Sequence, residues 1–112
     1  MSIARTRIDA VSGKTLRLRG YVQAGKYPKD LTDDVIRFAI YEPDTMDVVI
    51  QKESNGGVTQ GDDGVFRLVI SPNDWNGMQR GEYGFEADLL DEASGDTIPL
   101  AVGVLHVTHT PL

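Results

Sequence analysis

Residues 81–85 have the sequence Gly-Glu-Tyr-Gly-Phe, and they begin a long alternating stretch of the chain. From there to residue 91, every second position belongs to one set, which consists of Tyr83, Phe85, Ala87 and Leu89. A side-chain period of two is typical of a β-strand with one buried and one solvated face. The stretch therefore predicts a long strand whose inward face carries two aromatic rings.

The same period recurs on both sides of this stretch. It predicts further strands at residues 3–8, 15–22, 35–41, 47–52, 65–70 and 97–108, with a remnant at 58–59. In the last strand the inward set changes register, which predicts a β-bulge at Gly103. Ser71 followed by Pro72 predicts one short helical turn, because serine caps helices and proline suits the first helical position. Residues 109–112 are predicted to fray as a terminal segment.

About seven strands joined by short polar turns indicate an all-β sandwich or barrel. Tyr83 lies two residues before the inward Phe85, as the corner tyrosine does in immunoglobulin-like domains, where its hydroxyl bonds back to the backbone. The alternative is that Tyr83 is an ordinary strand aromatic. The predicted fold is a single immunoglobulin-like antiparallel β-sandwich over residues 1–112, with Phe38 and Phe85 in its core.

Length, charge and composition argue against several classes of function. The chain has 112 residues, no cysteine and a formal net charge of −6. One domain is expected at this length, and disulfides and thiolate sites are excluded. An acidic chain repels phosphate backbones, so nucleic-acid binding is not expected, and neither a membrane helix nor a secretory signal is predicted. The strand arginines Arg5, Arg7, Arg17 and Arg19 form either one local positive patch or ordinary solvated strand faces.

Acidic residues cluster in predicted loops and raise the question of a metal site. The groups are Asp30, Asp33 and Asp34; Asp62 and Asp63; and Asp88, Asp91, Glu92 and Asp96. Calcium needs several oxygen ligands on a constrained loop, and none of these groups has the spacing of a calcium-binding loop. We interpret them as turn formers and solubilising charges, and no metal or other cofactor is predicted.

The residues that could carry catalysis are few and scattered. They are the histidines His106 and His109, the serines Ser2, Ser12, Ser54, Ser71 and Ser94, and the carboxylate pair Glu86 and Asp88 on one strand face. No serine has a nucleophile-elbow context, and the carboxylate pair is typical of a solvated face. No catalytic residue is therefore assigned, and the chain is predicted not to be an enzyme. The lone Trp75 is predicted to plug one end of the core, with an exposed contact anchor as the alternative.

The order of motifs resembles that of small phage virion proteins and of the N-terminal domain of siphophage upper baseplate proteins. The motifs are Thr15-Leu16-Arg17-Leu18, Asp30-Leu31-Thr32, Ile36-Arg37-Phe38-Ala39-Ile40, Asp63-Gly64, Ile70-Ser71-Pro72, Gly81-Glu82-Tyr83 and a last strand with a central Gly103. The resemblance covers residues 15–108. Baseplate proteins of this kind continue into a further domain, which leaves the place of this chain in a particle open.

The resemblance implies a structural adaptor of a tail, baseplate, neck or fibre, located in the virion and assembled in the host cytoplasm. Its expected partners are other virion proteins, including copies of itself in a symmetric assembly, which it contacts through strand edges and loops. The alternative is a carbohydrate- or receptor-binding module of a fibre. That function would use exposed aromatic residues, for which the candidates are Tyr21, Tyr27, Tyr41 and Trp75.

Overall fold

All the regular elements of the described residues are β-strands except one short 3₁₀ helix. The computed structural model describes residues 4–109, so the predicted strand start at Ile3 and the predicted fraying of residues 110–112 lie outside the described residues. The strands are β1 Ala4–Val11, β2 Leu16–Tyr21, β3 Gln23–Ala24, β4 Tyr27–Pro28, β5 Val35–Tyr41, β6 Val48–Ser54, β7 Gly57–Gln60, β8 Val65–Ile70, β9 Gly81–Leu90 and β10 Thr97–Thr108. A 3₁₀ helix at Pro72–Trp75 is the predicted helical turn.

Eight strands form one mixed sheet in the order β1-β10-β9-β5-β6-β7-β8-β2, and β3 pairs with β4 in a small second sheet. The prediction of about seven strands missed β3 and β4, because two-residue strands are too short to show alternation. The purely antiparallel prediction is wrong: β1 runs parallel to β10, and β6 runs parallel to β7. A period of two records which residues face inward but not the direction of the neighbouring strand.

The sheet folds back on itself at the link between β6 and β7, which pair through only two residue pairs. The segment β1-β10-β9-β5-β6 and the segment β7-β8-β2 contribute to the same buried cluster. Its members include Ile36, Phe38 and Ile40 of β5, Leu68 and Ile70 of β8, and Phe85 and Leu89 of β9. The rings of Phe38 and Phe85 stack with their centroids 5.8 Å apart, as the sequence predicted for the core.

The predicted corner at Tyr83 is confirmed. The Tyr83 ring is buried, and its hydroxyl donates a 2.7 Å hydrogen bond to the carbonyl oxygen of Gln79, four residues upstream. Burial, together with the nearby Glu42 carboxylate, raises the pKa of this hydroxyl above its usual value. The corner therefore fixes the connection that leads into β9.

The register shift in β10 lies between Pro99 and Ala101 rather than at Gly103, so the predicted bulge position is wrong. Gly103 is needed for a different reason. A Cβ atom at this position would overlap the carbonyl oxygen of Thr6 in β1 and lie 2.8 Å from the ring of Phe85. Gly103 thus lets β1 approach β10 above the Phe85 ring.

Replacing Gly103 with alanine should therefore lower the free energy of unfolding by about 1–3 kcal/mol, the usual cost of overpacking. Gly56→Ala is the matched control, since a Cβ atom there would meet its nearest neighbour at 3.6 Å, an ordinary contact. Urea denaturation of both variants measures the difference. Equal stability of the two variants would show that the contact between β1 and β10 relaxes without cost.

Candidate functional site

A groove of about 910 Å³ opens between β1 and β2 and reaches the core. Ile8 of β1 and Leu18 of β2 line its sides, and Leu100 and Ala101 of β10 also face it. The rings of Phe38 and Phe85 lie at its inner end, where both are almost fully buried. The volume is within the range of about 300–1,000 Å³ that is typical of ligand sites.

The groove exists because β1 and β2 are the two ends of the sheet order. Among the described residues, β1 pairs only with β10, and β2 pairs only with β8. The turn at residues 12–15 connects β1, at one end of the sheet order, to β2, at the other end. The two strands therefore follow each other in sequence but do not pair with each other. Each strand consequently presents one edge of backbone N–H and C=O groups without a strand partner.

Gly20 and Phe66 shape one wall of the groove. They are cross-strand partners, and a Cβ atom at Gly20 would overlap the tip of the Phe66 ring. The ring therefore lies over the glycine. Phe66 remains only partly buried, because the open groove lies beside it.

Polar groups surround one end of the groove. Tyr21, which is 50% exposed, and Arg19 lie at the end of β2, and the β3–β4 hairpin contributes Gln23, Ala24 and Gly25. An apolar interior with a few polar groups at its mouth is typical of a binding site.

Three charged side chains, Lys29, Asp34 and Asp91, form a largely buried ion cluster that is here called the clamp. The clamp holds together the loops beside the polar end of the groove. The Lys29 ammonium lies 3.1 Å from Oδ2 of Asp34 and 3.2 Å from Oδ1 of Asp91. Only 19% of the Lys29 side chain and 5% of the Asp34 side chain are exposed. Asp34 also accepts a 3.0 Å hydrogen bond from the backbone N–H of Glu92 through Oδ1. The Asp34 carboxylate, with a smaller contribution from Asp91, raises the pKa of Lys29 above 10.5 against the opposing effect of burial.

Gln60 forms a second link that the sequence did not predict. Its side-chain amide donates hydrogen bonds to the carbonyl oxygens of Leu31 and Asp34, and its side-chain oxygen accepts one from the Ser54 hydroxyl. The Ser54 hydroxyl in turn accepts a 2.8 Å hydrogen bond from the N–H of Ile36. A serine and a glutamine next to apolar strand positions are the sequence signal that could have indicated this network, because buried polar side chains need hydrogen-bond partners.

The acidic groups do not converge on a metal-binding geometry. Asp30 binds its neighbour Thr32, and Asp63 accepts from the N–H of Val65. Asp91 accepts a hydrogen bond from the Ser94 hydroxyl. This hydrogen bond lowers the pKa of Asp91 more than the hydrogen bond from Lys29 does. Within residues 4–109 no three histidine, aspartate or glutamate side chains lie close enough together to hold a metal ion.

The candidate catalytic residues are dispersed. Asp88 forms a 3.0 Å ion pair with Arg37 rather than a pair with Glu86. His106 lies 4.0 Å from Glu82 on the sheet face, and His109 is exposed after β10. Of the serines in the described region, the Ser54 and Ser94 hydroxyls donate to Gln60 and Asp91. Among the described residues, those that have side-chain partners form hydrogen bonds or ion pairs, and the candidates are not gathered in one place.

The four candidate aromatic residues differ in exposure. Tyr27 is 68% exposed and Tyr21 is 50% exposed, whereas Tyr41 is partly buried with its ring over Gly84. Trp75 is 2% exposed, and its indole N–H donates a 2.7 Å hydrogen bond to the carbonyl oxygen of Lys14. The predicted plug is confirmed for Trp75, which leaves Tyr21 and Tyr27 as the exposed aromatic residues of the four.

Comparisons with known proteins bear on the fold alone. No protein-family model matches the chain, and no curated protein matches it significantly. A similar solved structure is that of the natural killer cell receptor NKp44, described as a triggering partner in natural cytotoxicity. The TM-score is 0.51 over 96% of this chain and 100% of that chain, at 15% sequence identity. Among the described residues, no helix is long and apolar enough to cross a membrane.

Proposed function

We propose that the chain is a non-enzymatic immunoglobulin-like β-sandwich that binds an extended segment of a partner protein in the groove between β1 and β2. The fold assignment is supported by the Tyr83 corner, by the sheet that closes around one core, and by the similarity in fold to an immunoglobulin-like receptor domain. The dispersed histidines and serines favour binding over catalysis.

The observation that carries the proposal is an apolar groove flanked by two strand edges without strand partners. An extended peptide can pair with such an edge through main-chain hydrogen bonds, while its alternate side chains enter an apolar groove. Ile8, Leu18 and Ala101 would receive those side chains. A compact ligand would fill the groove but would leave the edge groups of β1 and β2 unused, so an extended segment suits both features.

A ten-residue peptide in which valine alternates with serine is a direct probe. We expect ¹⁵N amide shifts on titration to be concentrated in β1, β2 and the groove-lining part of β10. The same peptide with an N-methyl amide at every residue should bind at least tenfold more weakly, because methylation removes the donors that pair with a strand edge. Equal binding of the methylated peptide, or shifts confined to another surface, would contradict the proposal.

Ala101→Trp tests the groove itself, because the larger side chain would occupy the space that Ala101 leaves open. Val104→Trp is the matched control on the same strand, since Val104 is 39% exposed and does not line the groove. We expect Ala101→Trp to weaken peptide binding at least tenfold and Val104→Trp to leave it unchanged. Thermal melts of both variants establish that each is folded, and equal binding would contradict the assignment of the groove.

The narrower role, a structural adaptor in a phage particle with other virion proteins as partners, rests on the order of sequence motifs. Mass spectrometry of purified particles tests it, and absence of the protein from them would remove this role while leaving the groove proposal intact.

Glycan or receptor binding remains a second candidate because Tyr21 is exposed at the groove. A glycan array without signal, or with signal that Tyr21→Ala does not change, would argue against it.

A further inference from the structure

Three arginines share the outer face of β2 and β8, here called the basic face: Arg17, Arg19 and Arg67. Arg17 and Arg19 alternate with the partly buried residues of β2, and Arg67 is the cross-strand partner of Arg19. All three are exposed, and none lies within ion-pair distance of a carboxylate in the described part of the chain. Arg7, in contrast, pairs with Asp9 and Glu82 on the other segment of the sheet.

The basic face is unusual in a chain whose net charge is −6. Like charges directly opposite each other on neighbouring strands repel and reduce stability. The outward residues beside them, Tyr21, Thr59 and Val69, carry no negative charge that would offset this repulsion. Arginine forms its strongest contacts as a two-pronged donor to carboxylates, so this face is chemically matched to an acidic surface.

The same chain carries such a surface at its loop end. Three loops meet there, because the N–H of Leu31 donates to the carbonyl of Gly61 and the N–H of Glu92 donates to Asp34. Six exposed carboxylates lie on these loops, here called the acidic end: Asp30, Asp33, Asp62, Asp63, Glu92 and Asp96. Lys29 is the cation of these loops, and its ammonium is already held by Asp34 and Asp91. The exposed Lys26 lies in the turn of the neighbouring β3–β4 hairpin.

We propose that the acidic end of one copy docks on the basic face of a second copy, so that the chain self-associates head to tail. The two surfaces consist of different side chains, although the Asp62–Asp63 loop leads directly into β8. A head-to-tail contact uses the acidic end of one copy and the basic face of the next, so it leaves one surface of each copy free and can repeat. Repeated contacts of this type generate rings or filaments. The inference rests on charge and not on the groove: Arg19 also lies at the groove's polar end, whereas Arg17 and Arg67 do not line it.

The contact is expected to be weak and sensitive to salt. Exposed ion pairs are screened, with a Debye length of about 8 Å at 0.15 M ionic strength and about 30 Å at 0.01 M. Sedimentation velocity of the wild-type chain should therefore show concentration-dependent association in 0.01 M salt that disappears in 0.5 M salt. A wild-type chain that stays monomeric at millimolar concentration in low salt would overturn the proposal.

Two neutralised variants identify the surfaces. Arg17→Gln/Arg67→Gln alters the basic face, and Asp33→Asn/Asp62→Asn/Glu92→Gln alters the acidic end. Neither set removes a side-chain hydrogen bond between described residues. Each variant alone should associate about tenfold more weakly than the wild type. Arg7→Gln/Arg80→Gln, which makes the same charge change as the basic-face variant but elsewhere, should associate normally.

Mixing the two neutralised variants provides the decisive readout. Each keeps one intact surface, so a 1:1 mixture should form heterodimers and no larger species, whereas the wild type continues to larger assemblies. A mixture that stays monomeric, or unchanged association of the basic-face variant, would overturn the proposal. Binding of poly-L-glutamate to the basic face of a wild-type chain that stays monomeric would assign the face to a foreign acidic partner, which would also overturn it.

Discussion

Replacing Asp34 with alanine should lower the free energy of unfolding by about 3 kcal/mol. Breaking a buried ion pair costs about 3–5 kcal/mol because the remaining charge is left uncompensated. The lower end of that range applies because Asp91 still lies 3.2 Å from the Lys29 ammonium. The substitution also removes the acceptor for the backbone N–H of Glu92. Urea denaturation compared with the wild-type chain measures the change.

A mutant cycle separates the contributions within the clamp. Asp34→Asn keeps an acceptor for Glu92 and removes only the charge, so it should be less damaging than Asp34→Ala. Replacing both partners, as Lys29→Met/Asp34→Leu, should recover much of the loss, because apolar residues of similar volume often substitute for a buried pair without net cost. If the double variant is as unstable as the two single changes added together, the two charges are not coupled.

The effect of the Asp34 change should depend on pH in one direction. The folded-state pKa of Lys29 is raised above 10.5, chiefly by the Asp34 carboxylate. A raised pKa contributes stability that is fully present below the unfolded value and is lost as the pH rises through the folded value. The difference between wild type and Asp34→Ala should therefore be constant near neutrality and should shrink above about pH 10.5. A difference that grows at alkaline pH would contradict the pairing.

The parts of the fold that follow local rules were predictable from sequence. Alternation alone identified the inward residues of β5 and β9, because the side-chain period of a strand does not depend on its partner. The Tyr83 corner and the 3₁₀ helix that begins at Pro72 are also local, since each depends on residues within a few positions. Both features follow from residues close in sequence, and both are present in the structure.

The bulge in β10 and the candidate site were not predictable in the same way. Ala101, Val102 and Gly103 are all partly buried, so apolar character did not indicate where the register shifts. The groove depends on which two strands remain at the ends of the sheet, and the clamp joins Lys29 to Asp91 across 62 positions. Such features depend on the pairing of distant strands, which a single sequence pattern does not encode.

Replacing Trp75 with alanine should lower the free energy of unfolding by about 3–5 kcal/mol, the usual cost of deleting a large buried aromatic side chain. Trp75 lies at the end of the 3₁₀ helix between β8 and β9, belongs to the core cluster, and is 2% exposed. Its indole also joins this helix to the turn between β1 and β2 through Lys14. Both a cavity and the loss of this link are therefore expected.

Trp75→Phe separates these two contributions, because it keeps a ring in the core and removes the indole N–H. It should retain most of the stability that Trp75→Ala loses, since one hydrogen bond contributes about 0.5–1.5 kcal/mol. Trp75 is the only tryptophan of the chain, so fluorescence of the wild type reports this position alone. We expect blue-shifted emission that moves to the red at the same urea concentration as the loss of β-sheet circular dichroism. Red-shifted emission from the folded chain would place the indole in water and contradict the expected loss.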